Sequence, residues 1–223
     1  MATRLYLRTL PPTINPGETE LSAALPVGDF LDYTLPIRSL DTTRGTSETT
    51  LSGISQGHTD HDDEFFSSFS SEALDAQTIT AQTWTVAIMH SQDSAFANSF
   101  IVLSLYVFRE PSTIVGFIYD SDTALGAEWA NNGAGRVATF SGSAVTVQAG
   151  DYLVFEAWRH TSAQGMNMSY IQTLFYNGSV DVTEGSTASA ASYIETPQNL
   201  VFASAEVVGR RRVGFGSGRA VAF

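Results

Sequence analysis

The residues with the densest potential for chemistry lie in one run, His58-Thr59-Asp60-His61-Asp62-Asp63-Glu64. Two histidines three positions apart beside four carboxylates are the side chains that hold a divalent cation. Imidazole suits zinc, and carboxylate oxygens suit calcium or magnesium. The candidate ligands are His58, Asp60, Asp62 and Glu64. In an extended segment Asp60, Asp62 and Glu64 point to one side and His61 and Asp63 to the other, which splits the donors. The spacing also lacks the central glycine and the closing bidentate glutamate of a calcium loop. The run reads as a solvated acidic loop, and neither a metal nor a cofactor is expected.

Nucleophilic and acid–base chemistry find less support. No Gly-x-Ser-x-Gly elbow follows a strand and opens a helix. His90 and His160 each follow an apolar strand, beside Ser91 and Thr161, as polar residues at strand ends commonly do. Glu156 alternates with Tyr152, Val154 and Trp158 and is the one carboxylate set in a strongly apolar strand. Facing outward it needs no function; facing inward it needs a partner such as Arg109 or Arg159. Among the aromatics, Trp84 and Trp158 read as core. Trp129 stands in a Gly/Asn-rich loop and is the candidate for an exposed glycan platform. No catalytic centre is expected.

Charge is distributed unevenly. All 11 basic residues are arginines, and there is no lysine and no cysteine. The 23 acids all lie between Glu18 and Glu206, whereas Arg4, Arg8, Arg210, Arg211, Arg212 and Arg219 lie outside that span. An acidic body repels nucleic acid and anionic membranes, so neither is an expected partner. Basic ends on an acidic body suit docking against carboxylates of a neighbouring subunit. Those six arginines are the candidate assembly contacts. No apolar stretch approaches the roughly 20 residues that span a bilayer, and residues 1–8 alternate where a signal peptide would run apolar.

The elements that must position these residues are strands. Arg4–Arg8, Thr50–Ser55, Asp63–Phe69, Thr78–Met89, Phe100–Phe108, Thr113–Tyr119, Arg136–Phe140, Ala144–Val147, Asp151–Trp158, Met168–Tyr176, Leu200–Ala205 and Arg211–Phe215 carry strand character. The alternation of Thr78–Met89 slips near Gln82. Pro11-Pro12 ends the first strand, residues 13–30 read as a linker with a short helical turn over Glu18–Ala24, and 177–198 reads as a long polar surface loop. Strands at 8–15-residue spacing, without βαβ alternation, predict an all-β, antiparallel sandwich of jelly-roll type. The expected division is an N-terminal strand and linker arm at 1–30, a sandwich at 31–206 and an Arg/Gly-rich C-terminal arm at 207–223.

Several segments together resemble a family of tailed-bacteriophage virion proteins. These are the opening Met1-Ala2-Thr3-Arg4-Leu5-Tyr6-Leu7, the element Leu74-Asp75-Ala76-Gln77-Thr78-Ile79-Thr80, the turn and strand Ala149-Gly150-Asp151-Tyr152-Leu153-Val154-Phe155-Glu156, and the segment Pro197–Phe202. The similarity spans residues 1–8 and roughly 45–205; the segment after Glu206 departs from it. The resemblance implies a non-enzymatic β-sandwich component of a virion, decorating the capsid or associated with neck or tail. Its implied partners are copies of itself and other virion proteins. A carbohydrate- or host-receptor-binding module, with a host-surface glycan as ligand, is the alternative.

Overall fold

The computed structural model describes residues 2–10, 38–55, 62–94, 99–111, 113–126, 128–161 and 170–203. These residues form strands and no helix, in the order β1 (Thr3–Arg8), β2 (Arg38–Asp41), β3 (Thr49–Ser55), β4 (Asp62–Ala73), β5 (Gln77–Ile79), β6 (Gln82–Gln92), β7 (Ser99–Arg109), β8 (Thr113–Leu125), β9 (Ala134–Gly142), β10 (Val145–Val147), β11 (Tyr152–Thr161), β12 (Tyr170–Tyr176), β13 (Val180–Asp181), β14 (Ala190–Ala191) and β15 (Tyr193–Thr196). The all-β sandwich expected from the spacing of the strands is what the chain adopts.

One layer runs β4-β11-β7-β8. The other carries β3, β12, β6, β15 and β1, with β9 on the far side of β6. Strand β2 joins them, antiparallel to β1 and parallel to β4. Between the layers lies the main core. Leu5, Leu7, Trp84, Val86, Ile88, Leu174 and Ile194 of one layer meet Phe69, Leu103, Leu105, Val107, Leu153 and Phe155 of the other. The period-2 alternation of each strand is the cause, because every second side chain faces inward.

Four expectations are corrected. The Thr78–Met89 strand is two strands in different sheets: β5 pairs β10, and β6 resumes at Gln82, where the alternation slips. Residues 177–198 are not one loop, since they contain β13, β14 and the sheet-central β15. Near Leu200–Ala205 the described pairing is an isolated bridge, Leu74 to Phe202. Nor do residues 3–8 form an arm, because β1 pairs with β15 on one edge and β2 on the other.

The segment 177–192 folds back on the outer face of β6 and β15. Met89, Ala87, Tyr6 and Tyr193 are buried there with Val182, Ala190 and Ala191. Two glycines permit this approach: a Cβ on Gly135 would lie 2.4 Å from the Thr183 carbonyl oxygen, and one on Gly178 2.0 Å from that of Ser189. The core makes a direct prediction. Phe155→Ala, at a fully buried site, is expected to cost about 3–5 kcal/mol in urea unfolding. The exposed Val137→Ala is expected to change stability by no more than about 0.5 kcal/mol.

Candidate functional site

The layer β4-β11-β7-β8 brings a row of polar side chains into register. Glu156 of β11 pairs with Ser68 of β4 and with Ser104 of β7, and Ser104 pairs with Asp120 of β8. Directly opposed residues project from the same face. Alternation places this row on the side away from Leu153, Phe155, Leu103 and Leu105. The Tyr106 hydroxyl donates to Glu156 Oε1 at 2.7 Å, and Trp158 Nε1 donates to Oε2 at 3.3 Å. The Ser104 hydroxyl donates to Asp120 Oδ1 at 2.7 Å.

Glu156 is fully buried, and its carboxyl is pushed up to about 7. Burial is the main cause; the bonds from Tyr106 and Trp158 pull the other way, and Asp120 adds to the rise. A carboxyl that titrates near neutrality has the property an acid–base group needs. Here, though, both oxygens are engaged by neighbours of the same layer. The arrangement holds a neutralisable carboxyl inside a wall of the sandwich. Of the partners foreseen for it, Arg109 and Arg159, the first is engaged elsewhere. Arg109 instead grips Asp151, with Nε and Nη2 donating at 2.6 and 2.8 Å, and the side chain of Arg159 lies outside the described residues.

Asp151 sits at the foot of the same strand. The Gln148 amide donates to it at 2.8 Å, and Gly150 supplies the turn with φ of 94°. Burial works to raise its pKa, but the Arg109 and Gln148 hydrogen bonds prevail and hold the carboxyl below its usual range. The two acids of β11 and its turn are thus handled in opposite ways.

A second polar group lies at the end of the sandwich where β6 finishes and β7 and β12 begin. His90, Gln92, Ser99 and Gln172 are all buried. Gln92 Nε2 donates to Glu128 Oε1 at 3.2 Å, its Oε1 accepts from the Ser99 amide at 3.3 Å, and Gln172 donates to the Ser99 hydroxyl. The His90 ring stacks on Trp129 with centroids 4.4 Å apart, and among the described residues its ring nitrogens meet no hydrogen-bond partner of good geometry. Burial, reinforced by the charge on Arg136, lowers its pKa to about 3.

Trp129 is therefore corrected: at 3% exposure it closes the end of the sandwich against His90 and offers no platform to a glycan. Of the proposed cation ligands, His58 and Asp60 lie outside the described residues. Asp62 and Glu64 open β4, with side chains outside the description. Among the described residues no three acidic or histidine side chains gather as a metal site. Arg4 and Arg8, two of the candidate assembly contacts, both make bonds within the chain. Arg4 binds Asp181 at 2.5 Å and Glu195 at 2.6 Å and lies 4.1 Å over the Tyr193 ring. Arg8 donates to Asn177 at 2.8 Å and to the carbonyls of Thr43 and Arg44. Arg210, Arg211, Arg212 and Arg219 lie outside the described residues.

Sequence reasoning had isolated Glu156 but not its companions. The available signal was that Ser104 and Tyr106 fall on one parity of the apolar 100–108 run, on the face opposite Leu103 and Leu105.

No protein-family model matches the sequence, and no curated protein matches it. Some solved structures align with it at low similarity. Two structures of a CocE/NonD family hydrolase from Staphylococcus aureus align over 87% and 90% of this chain, at 8% and 11% identity and TM-scores of 0.46 and 0.48. A structure of the Gx strain of infectious bursal disease virus aligns over 77%, at 13% identity and a TM-score of 0.32. The chain spans 36%, 36% and 39% of the lengths of these structures. At these scores none of the likenesses assigns an activity.

The buried groups predict a pH profile. Glu156 has a folded pKa above its unfolded value of 4.5, so its contribution is fully present below that value and is lost as pH rises through about 7. Glu156→Gln, which imitates the protonated form, is expected to flatten that decline and to be on the order of 2–3 kcal/mol less penalised at pH 8. Urea midpoints measured from pH 5 to pH 8 test this; parallel profiles for variant and parent would refute it. His90 has the opposite sign: its neutral form is favoured, so stability falls as pH drops below 6.5 toward about 3. His90→Phe is expected to make that acid-side loss shallower in the same assay.

Proposed function

We propose that the chain is a non-enzymatic structural component of a phage virion, decorating the capsid or associated with neck or tail. Its expected location is the virion, and its partners are copies of itself and other virion proteins. The observation that carries the reading is how charge is spent. Within the sandwich Arg4, Arg44, Arg109 and Arg136 each pair with an acid of the same chain. Those pairs leave the body with its acidic surplus, while Arg210, Arg211, Arg212 and Arg219 follow the last described strand with no acid after Glu206. An acidic body and a basic terminal segment on identical copies are complementary, which favours association between subunits. The ordered resemblance of residues 1–8 and 45–205 to phage virion proteins supports the same reading. The buried Glu156 and His90 act as parts of the wall and of the sandwich end, not as reagents.

The test is solution mass by light scattering on the full chain and on residues 1–206, at low and high salt. A defined oligomer that dissociates in salt, and is lost on truncation while the circular dichroism of the sandwich is retained, is the expected result. An oligomer unaffected by truncation would overturn the role given to the arginines.

A further inference from the structure

Asparagine followed by glycine is the dipeptide most prone to lose its side-chain amide. Glycine has no Cβ to hinder its own nitrogen as that nitrogen closes on the asparagine Cγ. The sequence holds two such pairs, Asn132-Gly133 and Asn177-Gly178. The fold treats them differently.

Asn177 is held through both ends of its side chain. Arg8 Nε donates to its Oδ1 at 2.8 Å, and its Nδ2 donates to the Ser47 carbonyl at 2.9 Å. Its amide donates to the Leu7 carbonyl at 3.1 Å. The nitrogen that would attack is engaged as well: the Gly178 amide donates to the Ala190 carbonyl at 2.8 Å, and Gly178 is buried. Backbone packing leaves little slack. A Cβ on Gly45 would lie 1.8 Å from the Asn177 carbonyl oxygen, and one on Gly178 2.0 Å from that of Ser189. Cyclisation turns the carboxamide away from Arg8 and Ser47 and pulls Gly178 off Ala190, so it waits on a local opening of the chain.

Asn132 stands in the opposite setting. It is exposed, in the turn that precedes β9. The Gly133 amide closes this turn by donating to the Ala130 carbonyl at 3.3 Å, longer than an ordinary amide hydrogen bond. The side chain anchored there is that of the preceding residue, Asn131, whose Oδ1 accepts from Gln92 Nε2 at 3.4 Å.

We propose that Asn132 is a site of spontaneous deamidation in the folded chain, and that the fold withholds the same reaction from Asn177. The Gly133 nitrogen gives its proton to a solvent base and bonds to Asn132 Cγ. The Cγ–Nδ2 bond breaks, and Nδ2 leaves as ammonia. Water then opens the cyclic imide at either carbonyl, leaving aspartate or its β-linked isomer, with no oxidant or reductant. The product places a negative charge in the turn after Glu128, the acid to which Gln92 Nε2 donates at 3.2 Å. The β-linked form also lengthens the backbone beside Ala130, whose carbonyl accepts from the Gln92 amide at 3.2 Å. The modification therefore bears on the end of the sandwich where His90 stacks on Trp129. It is a property of the folded chain and stands apart from the virion reading.

The test is peptide mapping by mass spectrometry on the full chain, incubated at mildly alkaline pH with and without urea. In urea both pairs are expected to convert at similar rates. In the folded chain Asn132 is expected to convert steadily and Asn177 at least about tenfold more slowly, the factor imposed by an opening that costs about 1.4 kcal/mol. A smaller difference, a difference retained in urea, or no conversion of Asn132 in the folded chain would overturn the proposal. Asn132→Ser, at an exposed turn position, is expected to abolish the acidic species that accumulates on ion exchange. An acidic species that accumulates unchanged in this variant would overturn it equally.

Discussion

Six residues at the start of the chain carry the constraint on which the rest of the sandwich depends. Strand β1 pairs along one edge with β15 and along the other with β2, and β2 continues the hydrogen bonding into β4. Through that path the two layers share one network of backbone bonds. Thr3 reinforces the closure from both main chain and side chain: its amide donates to the Gln198 carbonyl at 3.1 Å, and its hydroxyl accepts from the Leu200 amide at 2.7 Å. Leu5 and Leu7 face the main core while Tyr6 faces the opposite side. The first strand thus closes on the last, and contacts of such long sequence separation have loop entropy to overcome before they stabilise anything.

The same network explains how the sandwich accommodates buried charge. Asp151 and Glu156 are five residues apart, both almost without exposed surface. Asp151 stays ionised because Arg109 and a turn amide satisfy it. Among the described residues Glu156 has neutral donors and a neighbouring acid, so the protonated form gains. Where a guanidinium reaches, the carboxylate persists; where it does not, burial favours the neutral acid. Arg4 illustrates the first case on the other layer. Burial alone would lower its pKa, but the bond to Glu195 and its other neighbours hold it above the ordinary arginine value.

Much of this was legible in the residues. Period-2 alternation marks β1, β6 and β11, and the slip near Gln82 marks the break where the chain leaves β5 for β6. Gly150 at a positive φ and Asp151 after it explain why Ala149-Gly150-Asp151 precedes a strand. The apolar run at 100–108 reads as a central strand, and β7 lies between β11 and β8. Glu156 stood out as the carboxylate in an apolar strand. These signals are local: each depends on side-chain parity or backbone preference within a few residues.

The sequence by itself determined the fold class, the separation of charge and the placement of Glu156 on a sheet face. Tertiary structure alone decided which strands are neighbours, that 193–196 is a central strand, that Arg4 is spent on Asp181 and Glu195, and that Trp129 is buried against His90. Composition made 177–198 read as surface because its small, polar residues resemble a loop. Their smallness in fact lets the backbone lie down on β6 and β9, and the order of strands in a sheet is chosen by contacts far apart along the chain. Local pattern states which side chains share a face; only the assembled sandwich states what lies opposite them.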